Sequence, residues 1–147
     1  MLWHTIAMGH ATIISHVHRA GDDVSDSLHR FLVVAHQFAG VEALDAVMSR
    51  RLAIIVEEAV ANLLDHGDPG RDMTLTLRLD RADGRVRVRL EDDGDAFDPR
   101  AATAGIMPNP DRGGGAGLAL IKAWSEIVDY ATVGATNRLT LLLHPKA

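Results

Sequence analysis

Near residue 70 the spacing of apolar residues switches from that of a helix to that of a strand, and this switch constrains the fold most. Before it, Leu44, Val47, Met48, Leu52, Ile55, Val56, Ala59 and Leu63 recur every third or fourth position, the apolar stripe of a helix predicted from about Ala43 to His66. Gly67 stands where a helix-ending glycine belongs, and Pro69 follows where no helix can continue. After the switch, Thr74–Asp80 and Arg85–Glu91 alternate, joined at Asp83-Gly84, which predicts a β-hairpin. Leu75, Leu77, Leu79, Val86, Val88 and Leu90 take one face of it. Arg78, Arg85, Arg87 and Arg89 take the other, read as a solvated face.

A long one-sided helix beside a one-sided hairpin asks for two layers, and the flanking segments agree. Ala11–His18 reads as a strand, and Leu28, Phe31, Leu32, Ala35 and Phe38 mark a helix that Gly40 ends. Residues 95 to 115 have no period, a loop of unusual length. A helix over about Ala116–Glu126 and strands near Ile127–Thr132 and Arg138–His144 complete the chain. The order predicts an α+β fold: a two-layer α/β sandwich with a mainly antiparallel sheet and helices on one face, forming one domain over 1–147.

Composition removes several classes of function. A net charge of −5 argues against a surface built for nucleic-acid phosphates. The absence of cysteine excludes disulfides, thiolate catalysis and cysteine zinc sites. No apolar run is long enough to span a membrane, and the opening residues lack the basic start of a signal peptide, so a cytoplasmic location is expected. His10, His16 and His18 lie on or beside one strand, where surface or edge positions are expected rather than a metal site.

Three stretches carry candidate chemistry. "DRGGGAGLALIKAWSE" places Gly113, Gly114, Gly115 and Gly117 before a helix. It is neither a P-loop, since Leu118-Ala119 replaces the required lysine and hydroxyl residue, nor a dinucleotide fingerprint, since Leu118 stands where a glycine is needed. Bare peptide N–H groups entering a helix suit an anion; the alternative is a floppy loop, or a tight turn in which Gly117 packs against a neighbour. In "LAIIVEEAVANLLDHG", Glu58 and Asn62 share one side of the helix, with Asn62 inside the apolar stripe. Asn62 either makes a structural hydrogen bond or offers its oxygen to Mg2+, with Glu58 as a surface charge or a general base. In "VRVRLEDDGDAFDPRA", Asp92 leaves the strand beside Gly94 and Phe97. It serves either a turn or a pocket that accepts an exocyclic amine from a flat ring.

In this order, the three stretches resemble the boxes of the ATP-binding fold shared by histidine kinases, gyrase-type ATPases and Hsp90, and within it most closely the anti-sigma factor serine/threonine kinases. "EEAVANLLDHG" is similar to the N box, "EDDGDAFDP" to the first glycine box, "GGAGLALI" to the second, and "NRLTLLL" to the last strand. The resemblance implies ATP and Mg2+ as cofactors, Asn62 as metal ligand and Glu58 as catalytic base. It implies Asp92, Gly94 and Phe97 around the adenine, and Gly114, Gly115, Gly117 and Leu118 at the phosphates, ending a lid over about 98–115. It further implies phosphorylation of a small anti-sigma factor antagonist, binding of a sigma factor and a possible homodimer, with no direct contact to nucleic acid or membrane. A switch module that needs ATP to hold its partner but transfers nothing has the same boxes. One departure is Ala96, where many relatives carry glycine. Arg112 and Lys122 are the basic candidates for the γ-phosphate.

Overall fold

The structure, a computed structural model, describes residues 3–8, 11–66, 68–100 and 116–145. Its elements are β1 (Trp3–Met8), β2 (Ala11–His18), α1 (Val24–Val41), α2 (Ala46–His66), β3 (Met73–Ala82), β4 (Arg85–Asp92), α3 (Ala116–Trp124), β5 (Ser125–Val133) and β6 (Thr136–Leu143). The strands form one six-stranded sheet in the order β1-β2-β3-β4-β6-β5, every neighbouring pair antiparallel. The expected α+β two-layer sandwich is the observed fold.

Strand β1 was not expected from the sequence. Its run WHTIAM has no clean alternation, and it forms by pairing with the free edge of β2, from Trp3 opposite His16 to Met8 opposite Ala11. The helix boundaries also shift by a few residues. α1 runs past Gly40 to Val41, and α2 begins at Ala46 rather than Ala43, because Ala43 takes a left-handed φ of 52° and Asp45 caps the new start. The Asp45 carboxylate accepts from the Met48 N–H at 2.8 Å, satisfying one of the first-turn donors. α3 stops at Trp124, and the chain passes directly into β5 at Ser125.

The predicted hairpin is present, closed at Asp83 and Gly84 with φ of 54° and 75°, the left-handed pair that a two-residue turn requires. Register places Leu75, Leu77 and Leu79 of β3 and Val86, Val88 and Leu90 of β4 on the face toward the helices, all fully buried. Phe31 and Phe38 of α1 and Leu52, Ile55 and Val56 of α2 close over them to form one core. The opposite face carries the arginines, but it is not merely solvated. Asp80 is 6% exposed there, held by Arg87 at 2.6 and 2.8 Å and by Arg78 at 3.2 Å. Among the described residues no helix is long and apolar enough to cross a membrane.

The expectation of surface or edge positions is corrected for His16 and His18, while His10 lies outside the described residues. His16 and His18 are buried on the inward face of β2, and both rings reach the Ser27 hydroxyl on α1, at 3.1 and 2.7 Å. A strand that alternates inward at Ile14 must also turn positions 16 and 18 inward, and Ser27 supplies the polar partner that makes this tolerable.

Candidate functional site

Strand parity decides which of two adjacent acids enters the interior. Asp92 ends β4 opposite Leu75 and Asn137, on the inward face, and is 4% exposed. Asp93 turns away: its carboxylate accepts the Thr74 N–H at 2.8 Å, and its carbonyl accepts from Arg71 at 2.9 Å. One acid therefore closes the end of the hairpin, while the other is left for the pocket.

The Asp92 carboxylate is held from one side. Its Oδ1 accepts the Gly94 N–H at 2.9 Å and the Asn137 amide at 3.0 Å, and the same amide nitrogen donates to the Gly94 carbonyl at 2.9 Å. Burial pushes the Asp92 pKa up and the nearby Asp93 charge adds to that, while the bonds from Asn137 and Gly94 work against it; the net shift is upward. A carboxylate kept here at a cost to folding is a candidate for function.

Beyond Gly94 the chain is pinned by Tyr130 of β5. Its hydroxyl accepts the Phe97 N–H at 2.9 Å, and its carbonyl accepts from Arg100 at 3.4 Å. Arg100 also grips Asp98 at 2.9 Å, which holds that carboxyl below its ordinary range. Phe97 and the buried Pro99 are thereby fixed as a wall.

These groups surround a narrow cleft of about 10 Å3 between the helices and the open end of the sheet. Asn62 and Leu63 of α2, Asp92, Phe97, Ile121 of α3 and Tyr130 all line it. Two sequence-predicted groups on different elements, Asn62 and Asp92, thus meet in one cavity. The cleft offers a carboxylate, an amide and apolar walls, a combination suited to a flat heteroaromatic ligand with a donor on its edge.

Glu58, one turn before Asn62, is placed differently. A Cβ added to Gly117 would overlap the Glu58 carboxylate, so this side chain lies against the first turn of α3 rather than among the cleft-lining groups. The tight packing of Gly117 is therefore real, and the neighbour is an anion at a helix N-terminus, a favourable placement. Leu118 is buried beside it, and Lys122 is exposed on the last turn of α3. Gly113, Gly114, Gly115, Arg112 and most of the predicted lid lie outside the described residues. No cluster of three metal-ligating side chains occurs among the described residues.

Sequence reading missed Asn137 and Tyr130. Asn137 sits in a strand that reads as ordinary, and only the register of β6 against β4 brings it to Asp92. A lone tyrosine in an amphipathic strand gives no signal of its own. A larger open hollow lies elsewhere, beside the start of α1, lined by His16, Asp22, Asp26, Ser27, His29 and Arg30. None of the three quoted boxes contributes to it.

This two-layer arrangement, with its cleft at the open end of an antiparallel sheet, is that of a histidine kinase-like ATPase domain. Residues 23–143 match the family model for that domain, and the chain belongs to this family. It is 28% identical over 97 residues to the serine/threonine-protein kinase BtrW of Bordetella bronchiseptica, an alignment that spans 63% of this chain and 68% of BtrW. In fold it is similar to the histidine kinase domain of the Erythrobacter litoralis EL346 blue-light activated histidine kinase, with a TM-score of 0.50 and 18% identity, over 84% of this chain and 70% of that one.

Proposed function

We propose that the chain binds Mg-ATP in this cleft and is a serine/threonine protein kinase of the anti-sigma regulatory type, phosphorylating a small antagonist protein in a partner-switching pathway. The observation that carries the reading is the convergence of Asn62 and Asp92 on one apolar-walled cavity. Family membership supports ATP as the ligand, and the likeness to a protein named as a serine/threonine kinase supports the hydroxyl acceptor.

In this reading Asp92 accepts from the adenine amino group while Phe97 and Tyr130 wall the ring. Asn62 offers its amide oxygen to Mg2+, which neutralises phosphate charge when bound. Glu58 takes the proton from the acceptor hydroxyl as its oxygen bonds to the γ-phosphorus; the bond to the β–γ bridging oxygen breaks, and ADP leaves. Such a transfer needs positioning and charge neutralisation more than covalent help.

A second reading, an ATP-dependent binding module without transfer, is favoured by one feature: the Glu58 carboxylate rests on Gly117. Calorimetric titration of Mg-ATP into the full chain tests the shared part. Binding that Asp92→Asn or Asn62→Ala removes is expected; unchanged affinity in both variants would discard the site. Radiolabelled transfer to a co-encoded antagonist then separates kinase from module.

A further inference from the structure

Helix α3 lies along α2 in the opposite direction, and two contacts fix how it lies. At one end the Glu58 carboxylate rests where a side chain on Gly117 would stand. At the other the Arg51 guanidinium stacks over the Trp124 ring, 5.4 Å from its centre. Arg51 and Glu58 are seven residues apart on α2, and Gly117 and Trp124 are seven apart on α3. Seven residues make about two turns, so both pairs fall on one seam. Between them Ile55 and Ile121 are buried in the common core.

This seam tolerates one register. Advancing α3 by one residue shifts it by about 1.5 Å and turns it by about 100°. Leu118 would then approach Glu58, and even a Cβ in that place overlaps the carboxylate. The buried isoleucines do not forbid such a slide, because apolar contact has no direction. The stack does forbid it, because the cation must lie over the ring face. Charge sets the polarity as well: α2 offers an anion to the first turn of α3 and a cation to its last residue, the signs that a helix dipole favours. The Trp124 backbone is itself anchored, its carbonyl accepting the His144 N–H at 2.9 Å. Among the described residues no carboxylate pairs with Arg51, so the ring is the group that orients it.

We propose that Arg51 and Trp124 are positioning residues for phosphoryl transfer: their stack fixes α3 against α2 in the register that holds Glu58 where it takes the acceptor's proton. The inference rests on the kinase reading, in which Glu58 is the base. Neither residue is among those lining the cleft, so nucleotide affinity should not depend on them. A base displaced by about an ångström loses up to roughly 100-fold in rate, and that is the effect open to a pair acting from two turns away.

The test measures transfer to the co-encoded antagonist and ADP affinity for the full chain, Arg51→Ala, Glu58→Gln and the double variant. Arg51→Ala should slow transfer about 10–100-fold and leave ADP affinity within about twofold. Added to Glu58→Gln it should slow transfer no further, because no base is left to position; a merely structural role would lower both backgrounds by the same factor. Arg51→Lys, which keeps a cation over the ring, should recover most of the rate. An Arg51→Ala variant as fast as the parent, equal slowing in both backgrounds, or no recovery with lysine each overturns the inference while leaving Glu58 as the base. A parent that transfers nothing, or a Glu58→Gln variant that transfers at the parent's rate, overturns the reading beneath it and this inference too. Should Arg51→Ala fail to fold, Trp124→Leu, which keeps an apolar side chain and removes the ring, is read by the same rate, affinity and double-variant criteria.

Discussion

Replacing Asp92 by Asn should separate what this side chain does for ligand binding from what it costs the fold. The Gly94 N–H and the Asn137 amide both donate to the position of Oδ1, so the carbonyl of the new amide will occupy that position. Its NH2 group then faces the cleft, where a donor is presented to the donor edge of adenine. The parent's charge-assisted hydrogen bond is worth about 1.5–3 kcal/mol, which corresponds to a loss of roughly 10–150-fold in affinity. The donor–donor clash places the expected loss in the upper part of that range.

Stability should move the other way. Burial raises the Asp92 pKa above its ordinary 3.8, so the folded protein holds this proton more tightly than the unfolded chain does. Its stability therefore falls as pH rises from the unfolded value through the folded one, and the whole penalty is present at neutral pH. An amide carries no such penalty. Asp92→Asn is expected to melt at a higher temperature than the parent at pH 7, with the difference shrinking toward pH 4. Scanning calorimetry across pH, paired with ADP titration, reads both effects. A variant that melts lower at pH 7 and binds ADP as the parent does would refute the reasoning, because Asp92 would then be a structural acid.

Glu58→Gln should leave ADP affinity within about twofold while slowing transfer about 10²–10⁴-fold, the span of general base catalysis; equal loss of both would deny it a role in the chemical step. Gly117→Ala is expected to push the flexible end of Glu58 aside, so melting temperature should change little while transfer falls; an unaltered transfer rate would sink the link between these residues. Burial, then Arg30 and His18, lower the His16 pKa below 6.5, with Asp22 opposing. Its neutral form is the folded one, so stability should be complete above that value and decline as pH falls through and below it, as urea titrations at stepped pH will show. Burial works to raise the Asp80 pKa, but the bonds from Arg87 and Arg78 outweigh it and hold the carboxyl low. Asp80→Ala should cost about 1–3 kcal/mol by denaturant titration, a figure reduced because both arginines are partly exposed.

The fold was legible where one period ran long enough to identify a face. The stripe from Leu52 to Leu63 and the alternation in 74–80 and 85–91 required buried faces, and both occur as read, whereas Leu44 lies before α2 and Val47 is 41% exposed. β1 was not legible, because its order comes from backbone pairing with β2 rather than from its own pattern. The start of α2 was missed because Leu44 continues the apolar stripe while Ala43 breaks the backbone with a positive φ. At the site, Asn62 could be found because an amide violates its apolar stripe, and Asp92 because a good strand runs straight into Asp92-Asp93-Gly94; that Asp92 faces inward came from the register. Asn137 also violates an inward position, but in a short strand beside Thr136 and Arg138 it reads as an ordinary strand end. Its meaning comes from register, and register between strands so distant in sequence is set by the whole sheet.

Burial cost alone does not mark a functional residue in this chain; the direction in which the cost is left unpaid does. Asp80 is a buried acid, but two arginines repay it and lower its pKa, so it reads as structure. His16 leaves its Nδ1 buried without a partner, yet its other nitrogen meets Ser27 and its ring packs edge-on against Phe31, within contacts that build the core. Asp92 differs from both. Among the described residues its neighbours donate to Oδ1, and the group opens onto a cleft that also holds an amide from another element and has apolar walls. A fold selected for stability alone has no use for that asymmetry, since an apolar residue at position 92 would pack against Leu75 and Leu90 at no electrostatic cost. A ligand with a donor on its edge supplies what the chain withholds, and this is the physical reason to place adenine there.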